Sequence, residues 1–571
     1  MIRSRGHENK ASESPALFHE EPLAEKEQNV PVKTEQDPRS LEGALPDQTP
    51  PTTAEYPTGI RFVLIISSLA AALMLGSLDL NIVSTAVPRI TDAFHTVSDV
   101  GWYASALRLS ACAMQFLFGK SYRLFCTKHV FLVANGLSML GSLLSGAAVD
   151  SSMLIVGRAV AGVGFAGLLS GCYAELVYIV PLRRRPIWIS VLGALESVAI
   201  VGAPLLGGVV TQYLSWRWCF WISLPVGAVT LVFMVFALPK DEMHGDVAGL
   251  TLKQKLVQLD IPSNVLLLLS LTSLFLALSW GDTRYPWSDG RVIGPLVTSV
   301  VLALLFAANQ IRLGDAAVLP PRIFRQRSVA AGFLFVSCTN SVINVSEYYL
   351  PTYFQAVLGV SPATSGYFLA PIIVGGAVGA LLGGFGTSHT GYYGPFVLLA
   401  AVLMPIATGL ISTFGIAAHT GRILGYIALA GIANGIGFTG PYTAVQTVMA
   451  EDDVPSAMSV LLFSQSFGPA VSLAVAQLLF TNNLVRHLQG LIPSTGVGAI
   501  QDQGLMQLVA DAQAGPRRTA VLMGILESLR AVWYLVVGLA CLTFVGCVLI
   551  EWRSIKSKAN RREMPQAETK A

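Results

Sequence analysis

Residues 61–84 read RFVLIISSLAAALMLGSLDLNIVS, and after the opening Arg61 the run holds one charge, Asp79. A helix needs about 20 apolar residues to cross a hydrocarbon core, and this run supplies them. A carboxylate placed inside such a run is costly unless it has a partner or a function. The stretch therefore predicts a membrane-spanning helix with an ionisable group built into it.

Similar apolar runs recur to the end of the chain, near 101–118, 129–149, 153–175, 187–210, 217–238, 263–281, 292–312, 330–350, 363–384, 395–414, 422–445, 457–480 and 531–551. With the first they make fourteen. None shows the short alternating segments of a membrane barrel. Composition agrees: 53% of the 571 residues are hydrophobic and 12% charged, with mean hydropathy +0.60, whereas a soluble domain carries about 25% charged residues. A net charge of +3 is no footprint for nucleic acid. Six of the seven cysteines lie in apolar runs, without metal or disulfide spacing.

Polar stretches frame these runs. Residues 1–57 hold eleven acidic and six basic residues and no sustained apolar run, the composition of a disordered tail. Residues 552–571 form a second, basic tail. With the N-terminus inside, alternate loops hold Lys120, Arg123 and Lys128; Arg183, Arg184 and Arg185; Lys240, Lys253 and Lys255; and Arg312, Arg322, Arg325 and Arg327. The opposite short loops hold only Arg89, Arg217, Arg284, Arg291 and Arg422. This asymmetry predicts that both termini are cytoplasmic. The amphipathic run Leu252–Leu259 is expected to lie along the cytoplasmic surface, and residues 481–530 to form a long outward loop, with folding back as short helices the other reading. No phosphate-binding G-x-x-x-x-G-K-[ST] run occurs, so uphill movement of a substrate would need an ion gradient.

Charges inside the runs are Asp79, Arg108, Arg158, Glu175, Glu196 and Glu347. A mid-span guanidinium such as Arg158 needs a carboxylate, carbonyls or water, which implies a polar interior. Pro204 lacks an N–H and predicts a bend in the fifth helix, and Gly202, Gly207 and Gly208 permit close approach of a partner across the molecular axis. A plain kink is the other reading of that segment.

Several runs resemble motifs of a known family. Leu78-Asp79-Leu80-Asn81-Ile82-Val83-Ser84-Thr85-Ala86-Val87-Pro88 resembles the first-helix motif of the fourteen-helix drug:proton antiporters in the major facilitator superfamily. Arg158, Gly162, Gly164 and Ala166 resemble that superfamily's fourth-helix motif, and Gly202-Ala203-Pro204-Leu205-Leu206-Gly207-Gly208 its antiporter motif. Trp216-Arg217-Trp218-Cys219-Phe220-Trp221-Ile222-Ser223-Leu224-Pro225-Val226-Gly227 is similar to the run that follows it there. Tyr348 to Gln355 and Ser365-Gly366 resemble the fungal branch, which includes toxin-efflux proteins. The loop motif departs: Arg123 stands where that family has an acid.

The resemblance implies an all-α polytopic fold of two six-helix bundles, 61–238 and 330–551, joined through 239–329 with two additional central helices. It implies no cofactor, no metal and no enzymatic activity. It implies proton-coupled efflux of hydrophobic or amphipathic small molecules by a functional monomer in the plasma membrane, with the vacuolar membrane open. A siderophore or metal-chelate transporter is the alternative, and a non-transporting membrane sensor the remote one. Asp79, Arg158 and Glu196 are the expected coupling residues. Arg108, Glu347, Gln355, Asn434 and Gln465 are the expected cavity residues, with Arg108 favouring anionic or carbonyl-rich substrates. Gly202, Pro204, Gly207 and Gly208 would form the hinge or seal.

Overall fold

The computed structural model describes residues 57–95, 99–237, 251–281, 285–416, 418–488 and 516–556. The expected tails therefore lie outside it, apart from Pro57 and residues 552–556. Regular structure among the described residues is helical, with only isolated bridges besides. The helices are α1 Gly59–Phe94, α2 Val100–Leu124, α3 Thr127–Gly146, α4 Ser151–Ile179 and α5 Arg185–Tyr213. Next come α6 Trp218–Trp221, α7 Ser223–Ala237, α8 Leu252–Gln258, α9 Ile261–Trp280, α10 Gly290–Leu313 and α11 Pro321–Arg325. The last are α12 Arg327–Thr352, α13 Pro362–Thr390, α14 Gly394–Ser412, α15 Thr420–Val448, α16 Val454–Leu488 and α17 Pro516–Leu549.

Twelve helices among the described residues are long and apolar enough to cross a membrane. Two more, α2 and α5, have 25 and 29 residues and occupy the second and fifth apolar runs. Arg108, Lys120 and Arg123 make α2 more polar than its neighbours.

Packing repeats itself along the chain. In the first half α1 packs on α5 and α7, α2 on α4, and α3 on α4 and α7. In the second half α12 packs on α16 and α17, α13 on α15, and α14 on α15 and α17. The same pairings in the same order describe two copies of one six-helix plan. The copies meet reciprocally: α2 of the first packs on α16 of the second, and α13 of the second on α5 of the first. Between them in sequence, α9 packs on α10 and reaches the first copy through α2.

Glycine sets how closely the helices approach. A methyl at Gly435 would lie 2.0 Å from the Gly376 carbonyl oxygen, and one at Gly431 2.0 Å from that of Ile372. Helices α13 and α15 thus touch backbone to backbone. In the first copy a methyl at Gly162 would lie 2.3 Å from the Leu107 carbonyl oxygen, so α2 and α4 meet in the same way.

Two segments outside the apolar runs are helical where they are described. The segment 481–530 is largely helix where it is described: α16 runs on to Leu488 and α17 starts at Pro516, and 489–515 lie outside the described residues. The extensions are held by a shared apolar face of Phe480, Leu484, Leu488, Val521, Ile525 and Leu529, whose three-to-four-residue spacing is the helical signal in the sequence. The surface segment Leu252–Leu259 is helical over Leu252–Gln258, started by a capping box between Thr251 and Gln254. Its Leu252, Leu256 and Val257 are exposed.

Candidate functional site between the two bundles

Asp79 sits on α1 and Arg158 on α4, and the structure brings them together. Arg158 Nη1 donates to Asp79 Oδ1 at 2.8 Å. Arg158 Nη2 donates to the Asp79 carbonyl at 3.0 Å, and Nε to the Tyr103 carbonyl at 2.9 Å. The Phe220 ring lies 5.7 Å from the guanidinium carbon. Arg158 is 0% and Asp79 4% exposed, so the pair is shut inside the first bundle. Two backbone carbonyls also accept from the guanidinium, so Arg158 would keep hydrogen bonds if the Asp79 carboxylate were neutralised in place.

Glu196 on α5 has a different setting. It is half-buried and accepts a hydrogen bond from Ser77 Oγ on α1 at 3.0 Å. Ser77 is two residues from Asp79, so one segment of α1 carries the acid paired with α4 and also binds the acid on α5. Glu175 is wholly buried in α4.

Below these acids the bundles are closed. Tyr173 of α4 stacks on Tyr442 of α15 with centroids 5.1 Å apart, and Phe116 of α2 stacks on Phe463 of α16 at 4.7 Å. A methyl at Gly119 would lie 2.5 Å from Ser459, and one at Gly384 1.9 Å from Ser190 Oγ. Ser388 Oγ donates to the Arg183 carbonyl at 2.6 Å. These contacts lie toward the end that holds Arg123, Arg183 and Arg322, the basic end.

A charge cluster completes the basic end. Asp453, just before α16, accepts from Arg322 at 2.5 and 2.8 Å and pairs with Arg123 of α2 at 3.3 Å. The hydrogen bonds from Asp453, and after them that of Asp315, hold the Arg322 guanidinium charged, above the usual arginine range. Lys120 donates to the carbonyls of Ala316 and Ala317. The acid missing at Arg123 is therefore met by an acid on the other bundle. The sequence signal was Asp453 itself, in the acidic triplet that opens α16.

Farther from the basic end a mid-span charge is accessible. Arg108, in the middle of the α2 run, is exposed, and Glu347 on α12 is half-buried. Their charges act on one another. Asn434 is half-buried on the α15 face shared with Phe438 and Tyr442, residues at helical spacing that meet α5 at Gly193 and α4 at Tyr173. Gln465 accepts from Tyr442 Oη at 3.0 Å, beside the Tyr173–Tyr442 stack. Gln355 lies apart: its Nε2 donates to Ser365 Oγ at 3.3 Å, tying the π-turn Tyr353–Val357 to α13.

The antiporter-motif glycines do not join the bundles here. A methyl at Gly207 would lie 2.3 Å from Thr85 Oγ1 and 2.8 Å from Ile82, both on α1, so its close contact stays inside the first bundle. Gly202 and Gly208 face open space, and α5 is helical throughout, including position 204. The reason is geometric: the bundles meet at the basic ends of α5 and α13, around Ser190 and Gly384, and this motif lies farther along. A separate cavity of about 440 Å³ lies between the ends of α1 and α5, lined by Arg89, Asp92, Gln212 and Trp216, and does not include the acids. Trp216 is buried, with its ring centroid 5.5 Å from that of Phe94. Among the described residues no group of histidines, cysteines and acids could hold a metal ion.

The sequence pattern of the Major Facilitator Superfamily matches residues 69–473, which spans both bundles. The chain belongs to this superfamily. This facilitator is 37% identical over 509 residues to the MFS-type efflux pump MFS1 of Arthroderma benhamiae, covering 89% of this chain and 94% of that one. It is 38% identical over 506 residues to the efflux pump aflT of Aspergillus parasiticus, covering 87% and 97%. Its fold resembles the crystal structure of the human organic anion transporter MFSD10 (TETRAN) with a TM-score of 0.53 at 14% identity, covering 86% of this chain and 99% of that one. The facilitator is thus a multi-pass membrane transporter of small molecules.

Proposed function

We propose that this facilitator is a proton-coupled efflux transporter that exports hydrophobic or amphipathic small molecules by alternating access. The efflux pumps to which it is similar over most of their length support the direction of transport. The observation that carries the coupling is the hydrogen-bonded Asp79–Arg158 pair, buried within a membrane-spanning bundle beside a second acid, Glu196. A buried carboxylate is a group whose proton affinity its surroundings can move widely. Rocking of the bundles changes those surroundings.

In this reading all fourteen apolar runs cross the membrane, both tails and the basic end face the cytoplasm, and the plasma membrane holds a working monomer. The conformation is then outward-open: Tyr173–Tyr442, Phe116–Phe463 and the Asp453 cluster close the cytoplasmic side. Arg108, Glu347, Asn434 and Gln465 border the space between the bundles, and Glu196 together with Asp79 holds the transported proton. The segment with Gly202, Pro204, Gly207 and Gly208 is the moving face of α5, which closes on the second bundle in the opposite state.

The test is drug-dye export from proteoliposomes under an imposed pH gradient. Asp79→Asn, permanently neutral and nearly isosteric, should abolish gradient-driven export while exchange down a concentration gradient persists. Gradient-driven export at the normal rate in Asp79→Asn, together with its loss in Glu196→Gln, would move the coupling role to Glu196.

A further inference from the structure

Two charged groups in the open space have no part in the coupling scheme. Arg108 stands eight residues into α2, about 12 Å from its start at 1.5 Å per residue. Glu347 stands on α12, in the other bundle, near that helix's far end. Helices α2 and α12 both pack on α16, so the helices that carry the two residues share one neighbour. Among the described residues neither makes a hydrogen bond or an ion pair, although each feels the other's charge. The other charge that acts on Arg108 is Arg158, which repels it and is already held by Asp79.

This arrangement is stable only while the space is wet. When the bundles close over it, water leaves, and a guanidinium in an apolar enclosure needs an acceptor. Two kinds of acceptor can reach Arg108. One is brought in by the transported molecule, and the other is the Glu347 carboxylate. A planar guanidinium favours a carboxylate or carbonyl acceptor, which it can grip with two parallel N–H groups.

We propose that Arg108 anchors the acidic or carbonyl group of the exported molecule, and that Glu347 is its internal substitute, pairing with Arg108 when the transporter closes empty. This deepens and rests on the alternating-access reading above. The preferred substrate class is an apolar body carrying an acid or a strong hydrogen-bond acceptor. A molecule without such a group leaves Arg108 unpaired on closure and is carried poorly. In the open form Arg108 is unpaired and available to substrate, and only the empty return step depends on Glu347.

The experiment uses the reconstituted full chain and two fluorescent probes of nearly equal shape, dansylglycine and N-isobutyl dansylamide, in which an isopropyl group replaces the carboxylate. The wild-type protein should carry dansylglycine with a KM at least ten-fold lower than that of the isobutyl probe. Arg108→Gln should erase this difference, and Arg108→Lys, which keeps the charge, should keep most of it. Glu347→Gln should reduce net export of dansylglycine at least ten-fold and leave probe-for-probe exchange within two-fold, because exchange never requires the empty form to close. The double variant Arg108→Glu/Glu347→Arg should regain net transport relative to either single reversal. Equal handling of the two probes by the wild type would overturn the inference, as would discrimination surviving Arg108→Gln, or exchange and net export falling together in Glu347→Gln. Those outcomes leave transport itself standing. A wild-type protein that moves neither these probes nor the drug dyes under a pH gradient would instead overturn the transport reading on which the inference rests.

Discussion

The two bundles share a packing plan and differ in where their charge lies. In the first, α1, α2, α4 and α5 hold Asp79, Arg108, Arg158, Glu175 and Glu196 inside their apolar runs. In the second, the corresponding runs of α12 to α16 hold only Glu347. What fills the interior there is neutral: Tyr349 Oη donates to Gln477, Tyr442 Oη to Gln465, and Asn340 and Asn344 turn back to their own helix carbonyls. A repeated scaffold can thus be specialised by charge alone, because close helix packing depends on small residues and leaves ionisable positions free to diverge. The first bundle holds the charges, and the second supplies the surface they work against.

The comparison breaks first at Arg158. Arg158→Leu leaves the Asp79 carboxylate buried without its partner, which costs about 3–5 kcal/mol. The expected outcome is loss of the folded monomer on size-exclusion chromatography, and Asp79→Asn in the same chain should recover part of it. No single neutralisation in α13 to α15 should do comparable harm.

The next effect tests whether the scaffold really is shared. Gly435→Val in the second bundle and Gly162→Val in the first both force a side chain into a neighbouring backbone. Overpacking of this kind costs about 1–3 kcal/mol, so thermal unfolding of the detergent-solubilised protein should show similar losses for both. A large loss in one bundle only would end the claim that their packing is equivalent.

A smaller effect is expected at the basic end, where the two bundles exchange charge. Asp453→Asn removes the negative charge shared by Arg322 and Arg123, whose side chains are 45% and 23% exposed. Solvent screening limits the pair to about 0.2–1 kcal/mol. That should raise labelling of a cysteine introduced at Ser459 a few-fold, without a change in melting temperature. Unchanged labelling would show that aromatic stacking alone keeps this end shut.

The smallest effect separates glycines of one motif. Gly202→Ala and Gly208→Ala meet open space, whereas a methyl at Gly207 lies 2.3 Å from Thr85 Oγ1. The first two should change stability by no more than about 0.5 kcal/mol, and Gly207→Ala should cost about 1–3 kcal/mol. Thermal shift assays resolve this. If Gly202→Ala or Gly208→Ala instead stops transport while leaving stability intact, those positions act in the closed state, as the moving face of α5 requires.

The sequence was most legible where hydrophobicity acts locally. Run length marked the apolar helices, twelve of which among the described residues are long and apolar enough to cross a membrane, and the isolated charges include Asp79 and Arg158, which pair, and Glu196, bound by Ser77. Helix ends were read less well: α1 continues to Phe94 and α16 to Leu488, because apolar neighbours outside the spans stabilise extra turns. Among the polar positions, Gln115 bonds Ser170 inside the first bundle, whereas Gln465 joins the floor between the bundles. Both look alike as a glutamine in an apolar run.

Sequence by itself determined that the chain is a bundle of membrane helices with charge concentrated in its first half, since the costs of exposing backbone and burying charge in lipid are properties of a local segment. Tertiary structure decided the partners. That Asp79 meets Arg158, that Asp453 answers Arg123, and that Gly207 closes on α1 all depend on which helix face turns toward which neighbour. That choice is made by interdigitation across many residues at once, and no single segment encodes it.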